Sequence, residues 1–260
     1  MAEPGVRVGF FTDTSICIGC KACEVACKEW NGVPDDGFTF LGQSYDNTGE
    51  LGADTWRHVA FIEQKRPGDE GFRWLMSSDV CKHCTSAACL EVCPTGSLVR
   101  TEFGTVVVQE DVCNGCGYCI PACPFGVIDQ RKGDGRAWKC TMCYDRLRGG
   151  LEPACATACP TQSIQFGPLD ELRVRAAARV DTLRAAGVPE ARLYGADPDD
   201  GVGGMGAFFL LLDDPEVYRL PPDPVVTTHD LPGMWRSAAA AAATLAVGVA
   251  AAFLGRGRRR

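Results

Sequence analysis

Sixteen cysteines fall into four groups of four, all between Cys17 and Cys159. They run Cys17-x2-Cys20-x2-Cys23-x3-Cys27, then Cys81-x2-Cys84-x4-Cys89-x3-Cys93. Next come Cys113-x2-Cys116-x2-Cys119-x3-Cys123 and Cys140-x2-Cys143-x11-Cys155-x3-Cys159. Disulfides, structural zinc and iron–sulfur clusters all use cysteine at this density. A zinc ribbon needs two Cys-x2-Cys hooks and has no use for a third cysteine three residues on. Disulfides impose no repeated spacing, and no secretion signal is legible at the N-terminus. Three thiolates at i, i+3 and i+6 on one tight turn can reach three irons of one cluster, while the fourth ligates the other cluster of a pair. The sixteen thiols are therefore read as ligands of four [4Fe–4S] clusters, with a structural zinc protein as the alternative.

Quartet three is the bacterial ferredoxin run in full, ending Cys123-Pro124, and Pro94 and Pro160 likewise follow quartets two and four. Lys28 follows quartet one. The fourth cysteine is expected to start a helix, with Pro in its first turn, where a missing N–H costs nothing. Nineteen residues separate quartets two and three, a comfortable ferredoxin insert. Crossed ligation within that pair gives one cluster on Cys81, Cys84, Cys89 and Cys123, and another on Cys93, Cys113, Cys116 and Cys119. Quartets one and four then form an outer pair. Its clusters sit on Cys17, Cys20, Cys23 and Cys159, and on Cys27, Cys140, Cys143 and Cys155. Pairing in sequence order, one with two and three with four, is the alternative.

The elements that must hold these thiols are short. The expected fold is α+β, two nested ferredoxin-like two-cluster units with a C-terminal helical and extended extension. Residues 1–80 and 124–166 make the outer unit and 81–123 the inner one. Residues 167–236 supply a helix, a strand and a Pro-rich arm. Strands are expected at Val6–Phe11, Trp56–Gln64, Phe72–Met76 and Thr105–Gln109, which are rich in β-branched and aromatic residues. The Gly- and Asp-rich stretch Asn31–Asp54 reads as a long surface excursion. Pro168–Ala186 reads as a helix, with Pro168 in its first position and Gly187 as its stop. Its apolar stripe is Leu169, Leu172, Val180 and Leu183. Ala207–Leu212 reads as a buried strand, and Asp213–Leu231 as an extended arm lying over a neighbour.

The formal charge of −7 excludes the basic face of a nucleic-acid binder. Four clusters would add about −8, roughly −2 each, so buried backbone donors and nearby cations are required. The stretch Asp197–Gly206 lacks the spacing and terminal Glu of a calcium loop, and Gly201–Gly206 lacks the Lys-Ser/Thr of a phosphate loop. His83 lies within a quartet that already has four thiols and reads as structural; His58 and His229 carry no assigned role. No catalytic constellation is legible, so the chain is read as non-catalytic.

Ser237–Gly255 is uncharged and rich in alanine, with Trp235 before it and Arg256, Arg258, Arg259 and Arg260 in the basic tail 256–260. A helix over 237–255 would measure roughly 28 Å, just short of a hydrocarbon core. It reads as a single transmembrane helix, with an Ala-rich packing helix or a tail as alternatives. The arginines place its C-terminus in the cytoplasm and the cluster region outside. Without a signal of its own, the folded cluster region would be carried across by a partner.

The stretch from Ile18 to Asn31, Ile-Gly-Cys-Lys-Ala-Cys-Glu-Val-Ala-Cys-Lys-Glu-Trp-Asn, resembles the iron–sulfur β subunit of membrane-bound formate dehydrogenases. So do Thr55–Ile62, the order of the quartets and the single C-terminal span. Related four-cluster subunits serve sulfoxide, thiosulfate and nitrate reductases and some hydrogenases; the ending Cys27-Lys-Glu-Trp-Asn31 tilts the resemblance to formate. It implies a molybdenum or tungsten pterin catalytic subunit that oxidises formate, and a membrane cytochrome b that delivers electrons to quinone. The outer cluster pair would face the catalytic subunit and the inner pair the membrane. The alanine-rich tail departs from the pattern and leaves a soluble, nicotinamide-linked cytoplasmic complex as the alternative.

Overall fold

The computed structural model describes residues 5–37, 40–42, 45–65 and 71–256. From the N-terminus they give β1 (Val8–Asp13), α1 (Ala22–Asn31), β2 (Arg57–Gln64), β3 (Arg73–Val80), α2 (Ala88–Glu91), β4 (Leu98–Arg100) and β5 (Val106–Val108). There follow α3 (Cys119–Ala122), β6 (Asp129–Gln130), β7 (Ala137–Trp138), α4 (Tyr144–Arg148) and α5 (Ala154–Thr157). The last are β8 (Ile164–Pro168), α6 (Leu169–Ala185), β9 (Arg192–Tyr194), β10 (Ala207–Leu211) and α7 (Leu231–Arg256).

The apolar run of β10 is buried at every position because both its edges and both its faces are covered. It lies in a four-stranded sheet of order β8-β1-β10-β9, parallel to β1 and antiparallel to β9. Alternation along β1 sends neighbouring side chains to opposite faces. Phe11 stacks on Phe208 and joins the core that holds Leu169, Leu172, Ala176 and Val180 of α6. Phe10 faces the other way, into a core that contains Cys23, Cys27, Cys81, Cys140 and Cys155. The sheet is thus a plate with a helix on one side and the thiols on the other. Three two-stranded ribbons, β2–β3, β4–β5 and β6–β7, frame the cysteine loops.

Several expectations shift. β1 begins two residues late, and β3 runs on to Val80, delivering the chain directly to Cys81. Pro168 closes β8 and caps α6 from outside instead of opening it. The Pro-rich stretch does not reach outward between Asp213 and Val226: Tyr218, Leu220 and Val226 are buried in the chain's own core. The Tyr218 hydroxyl accepts the Leu212 N–H at 3.1 Å.

The quartet geometry also differs from expectation. The third cysteine of each quartet, Cys23, Cys89, Cys119 or Cys155, lies in the first two residues of a helix. The fourth does not start one. Cys93, Cys123 and Cys159 lie just beyond the one-turn helices α2, α3 and α5, whereas Cys27 is inside the ten-residue α1. The following residue explains this. Pro94, Pro124 and Pro160 push the preceding cysteine away from helical conformation, and Cys123 is extended at φ −76°, ψ 114°. Lys28 imposes no such stop, so α1 continues until Gly32, which is left-handed at φ +57°. α1 packs on α5, and α2 on α3.

The chain divides into two compact units, Met1–Val226 and Thr227–Arg260. Within the second, Leu231–Leu254 is the one helix among the described residues long and apolar enough to cross a membrane; an 18-residue stretch of it has a mean hydropathy of 1.9, and none of that stretch is buried. It begins six residues before the expected Ser237, taking in Trp235 and Arg236. The basic tail beyond Arg256 lies outside the described residues.

Candidate metal centres

Left-handed backbone turns bring the thiols of each loop to one side. In quartet three, Gly115 has φ +73°, and a Cβ there would stand 2.6 Å from the carbonyl oxygen of Gly135; only glycine fits. In other quartets residues with side chains take the same conformation, Lys21, His83, Met142 and Cys143 among them. Such turns aim successive N–H groups into a concavity suited to anions. The Met142 N–H donates to Cys140 Sγ at 3.3 Å, and that of Ala137 to Cys113 Sγ at 3.5 Å. Hydroxyls add to this: Ser78 Oγ lies 3.2 Å from Cys23 Sγ, and Ser97 Oγ 3.2 Å from Cys93 Sγ.

Two cavities gather thiols from distant parts of the chain. Cys17, Cys20, Cys23 and Cys159 line one cavity with Val59 and Ser78. Cys81, Cys84, Cys89 and Cys123 line a second, with Lys82, His83 and Lys139. Burial pushes the Cys27 thiol well up, and the neighbouring Cys140, Cys155 and Cys143 add to the rise. Cys119 is pushed up to about 11 by burial and by Cys113, Cys116 and Cys93. Cys140 reaches about 12, first through burial and then through Cys81, Cys155 and Cys143. Thiols this crowded in apolar surroundings ionise only when a cation draws off their charge, as a bound metal does. Among the described residues no three His, Cys, Asp or Glu side chains converge on a single metal ion. A multi-iron core fits the donor set, and these residues would hold it.

Buried cations stand between the thiol groups. Arg57 is 2% exposed; it donates from Nη1 to Ser78 Oγ at 3.0 Å and lies 4.9 Å from the centre of the Phe10 ring. Its Nε and Nη2 have no partner among the described residues. Burial opposes its charge, but Cys155, Cys23, Cys140 and Cys27 outweigh burial and raise its pKa. Orphaned donors facing thiols are what an anionic cluster would satisfy. Lys82 and Lys139, 0% and 2% exposed, flank the second cavity. Lys139 Nζ donates to the carbonyls of Val106 and Cys140, joining β5 to quartet four.

The Trp30-Asn31 pair at the end of α1 reaches across to quartet four. Trp30 Nε1 donates to Asp145 at 2.8 Å, with the Arg146 guanidinium 4.2 Å from the indole. Asn31 donates its amide to Cys143 Sγ at 3.6 Å. The long excursion after α1 is also not wholly at the surface. Asp46 is buried, accepting from Lys21 at 3.0 Å and pairing with His58 at 2.7 Å. It fastens the quartet-one loop to β2; residues 38–39 and 43–44 of that excursion lie outside the described residues.

Arg57, Lys139, Asp46 and the amide of Asn31 do not stand out in the sequence as site residues. Cations directly beside cysteines, as in Cys81-Lys82 and Lys139-Cys140, are the available signal. Two of the thiols, Cys20 and Cys116, are exposed, near the exposed side chains of Ile18 and Tyr118.

Two protein-family models, both described as a 4Fe-4S dicluster domain, match residues 72–169 and 16–97. The spans overlap across quartet two and follow the chain, so they carry no ligand pairing. The chain is similar to the nitrate-inducible formate dehydrogenase iron-sulfur subunit of Escherichia coli (strain K12), 41% identical over 89% of this chain and 78% of the relative. It is 40% identical to the formate dehydrogenase iron-sulfur subunit of Haemophilus influenzae, over 94% of this chain and 77% of the relative. It is also 38% identical to a subunit of the anaerobic dimethyl sulfoxide reductase of Escherichia coli (strain K12), over 64% of this chain and 76% of the relative.

Proposed function

This chain belongs to the family of formate dehydrogenase iron–sulfur subunits, and on that premise we propose that it is a four-cluster electron wire. Bound [4Fe–4S] clusters supply one-electron sites whose potentials the protein tunes by hydrogen bonds, burial and local charge. The observation that carries the reading is the interleaving of distant cysteines: Cys159 shares a cavity with quartet one, and Cys123 shares one with quartet two. It supports ligand sets of Cys17, Cys20, Cys23 and Cys159; Cys27, Cys140, Cys143 and Cys155; Cys81, Cys84, Cys89 and Cys123; and Cys93, Cys113, Cys116 and Cys119. That is one two-cluster unit nested within another.

The chain would take electrons from a molybdenum or tungsten pterin subunit that oxidises formate, and deliver them to a membrane cytochrome b and quinone. The exposed Cys20 and Cys116 suit the two ends of such a path, the first toward the catalytic subunit and the second toward the membrane. α7 would cross the bilayer once, leaving the cluster region extracytoplasmic and the C-terminus cytoplasmic. The similarity to a sulfoxide reductase subunit supports a second reading, in which the same wire serves another molybdopterin oxidoreductase.

Anaerobically purified protein should be brown, with iron and sulfide near sixteen each. Colourless protein with stoichiometric zinc would overturn the wire. The catalytic subunit that co-purifies decides the substrate: a sulfoxide reductase there would replace formate.

A further inference from the structure

His83 sits between two cysteines of quartet two yet has no role in the ligand sets above. Its backbone is left-handed at φ +45°, and the residue is 1% exposed. The loop is pinned to the sheet by the Gly206 N–H, which donates to the His83 carbonyl at 3.2 Å, and by the Ala207 N–H, which donates to that of Lys82 at 2.9 Å. A Cβ at Gly206 would lie 3.1 Å from the Cβ of His83, so glycine lets the strand approach this closely.

The ring nitrogens are in unequal positions. Nδ1 accepts the backbone N–H of Val106 at 3.0 Å and so carries a lone pair. The proton of the imidazole therefore belongs to Nε2. Nε2 is buried without a hydrogen-bond partner among the described residues, and His83 lines the cavity shared by Cys81, Cys84, Cys89 and Cys123. A buried donor left unpaired is costly, and the cavity it borders is the one that the wire reading fills with sulfur acceptors.

We propose that His83 donates its Nε2–H to sulfur of the cluster held by Cys81, Cys84, Cys89 and Cys123, and so raises that cluster's reduction potential. The inference rests on the electron-wire reading. A donor at sulfur stabilises the reduced, more negative state over the oxidised one. The Val106 N–H holds the ring and the β10 contacts hold the loop, so the donor is in place in both redox states.

Two substitutions separate the donor from the support it receives. His83→Asn keeps an acceptor near the Nδ1 position for the Val106 N–H, and asparagine tolerates a left-handed backbone, but it loses the donor to the cluster. His83→Gln places an amide N–H near the Nε2 position. In redox titrations of the full chain followed by EPR, His83→Asn should lower the midpoint of one cluster by about tenfold in its reduction equilibrium. For a one-electron couple that is about 59 mV. His83→Gln should restore most of it. An unshifted midpoint in His83→Asn overturns the proposal.

A measurement that needs no variant uses the wild-type chain with isotopically labelled histidine, reduced and examined by pulsed EPR. A histidine nitrogen coupled to a cluster is expected. If cluster signals are present without that coupling, the His83 assignment fails and the wire stands. If no [4Fe–4S] signals are found at all, the wire reading fails too.

Discussion

The side-chain amide of Asn31 lies 3.8 Å from the Sγ of Cys27, one turn back on its own helix, and 3.6 Å from the Sγ of Cys143, 112 residues further on. One neutral donor thus serves two sulfurs from opposite ends of the cysteine-bearing region. Replacing Asn31 with Leu removes N–H donation and should lower the midpoint of the cluster on Cys27, Cys140, Cys143 and Cys155. A shift on the order of 59 mV, a tenfold change for one electron, is expected in an EPR-monitored redox titration.

Arg57 is a cation enclosed by the thiols of quartets one and four. Arg57→Met should strip the cluster anions of their nearest counter-charge and cost about 3–5 kcal/mol, as when one partner of a buried pair is removed. Iron content per chain and chemical denaturation of the loaded protein measure this. Arg57→Lys keeps the charge and should recover part of the loss.

Cys159→Ser should damage the cluster shared with Cys17, Cys20 and Cys23. Cluster-resolved EPR reads which signal changes. An effect confined to the cluster of Cys140 and Cys143 would refute crossed pairing.

Burial pushes the Asp46 carboxyl up, but hydrogen bonds from Lys21 and His58 prevail and hold it at about 2. Its folded value lies below the unfolded value of about 3.9, so its stabilisation is present above roughly pH 4 and lost as pH falls toward 2. The difference corresponds to roughly 2–3 kcal/mol at neutral pH. Asp46→Asn should lower the Tm by roughly 4–10 °C at pH 7. The same gap should persist at pH 5, which differential scanning calorimetry can check.

Ending the chain at Val226 removes the unit Thr227–Arg260 and leaves the cluster region intact. The shortened chain should move from the membrane fraction to the soluble fraction and keep its iron. Membrane retention after truncation would show that α7 is not the anchor.

Much of the site is legible in sequence because cluster ligation dictates spacing within a single loop, and spacing survives in a string of letters. The same holds for α6, whose stripe at Leu169, Leu172 and Val180 follows helical period, and for β10, whose unbroken apolar run requires cover on both faces. Arg57 is not legible. In sequence it is one charged residue in an ordinary strand, and only the fold brings it among thiols from Cys23 to Cys155. Asp46 is hidden for a similar reason: a glycine- and aspartate-rich stretch reads as solvated until Lys21 and His58 are seen to enclose one of its carboxyls. The two-residue strands β6 and β7 are too short for any periodicity. Asp213–Val226 departs from its expected outward course because prolines signal extended chain without saying whether it runs outward or folds back.

The parallel pairing of Phe10 with Ala207 bears on how the protein is made. β1 is flanked on both edges only once β8 and then β10, almost two hundred residues beyond it, have joined the sheet. A pairing this distant in sequence forms slowly, because loop closure must precede the contacts that reward it. Phe10, on the thiol-facing side of that strand, therefore closes over the cysteines late. Until then their loops remain open to delivery of iron and sulfide, and equally to oxygen.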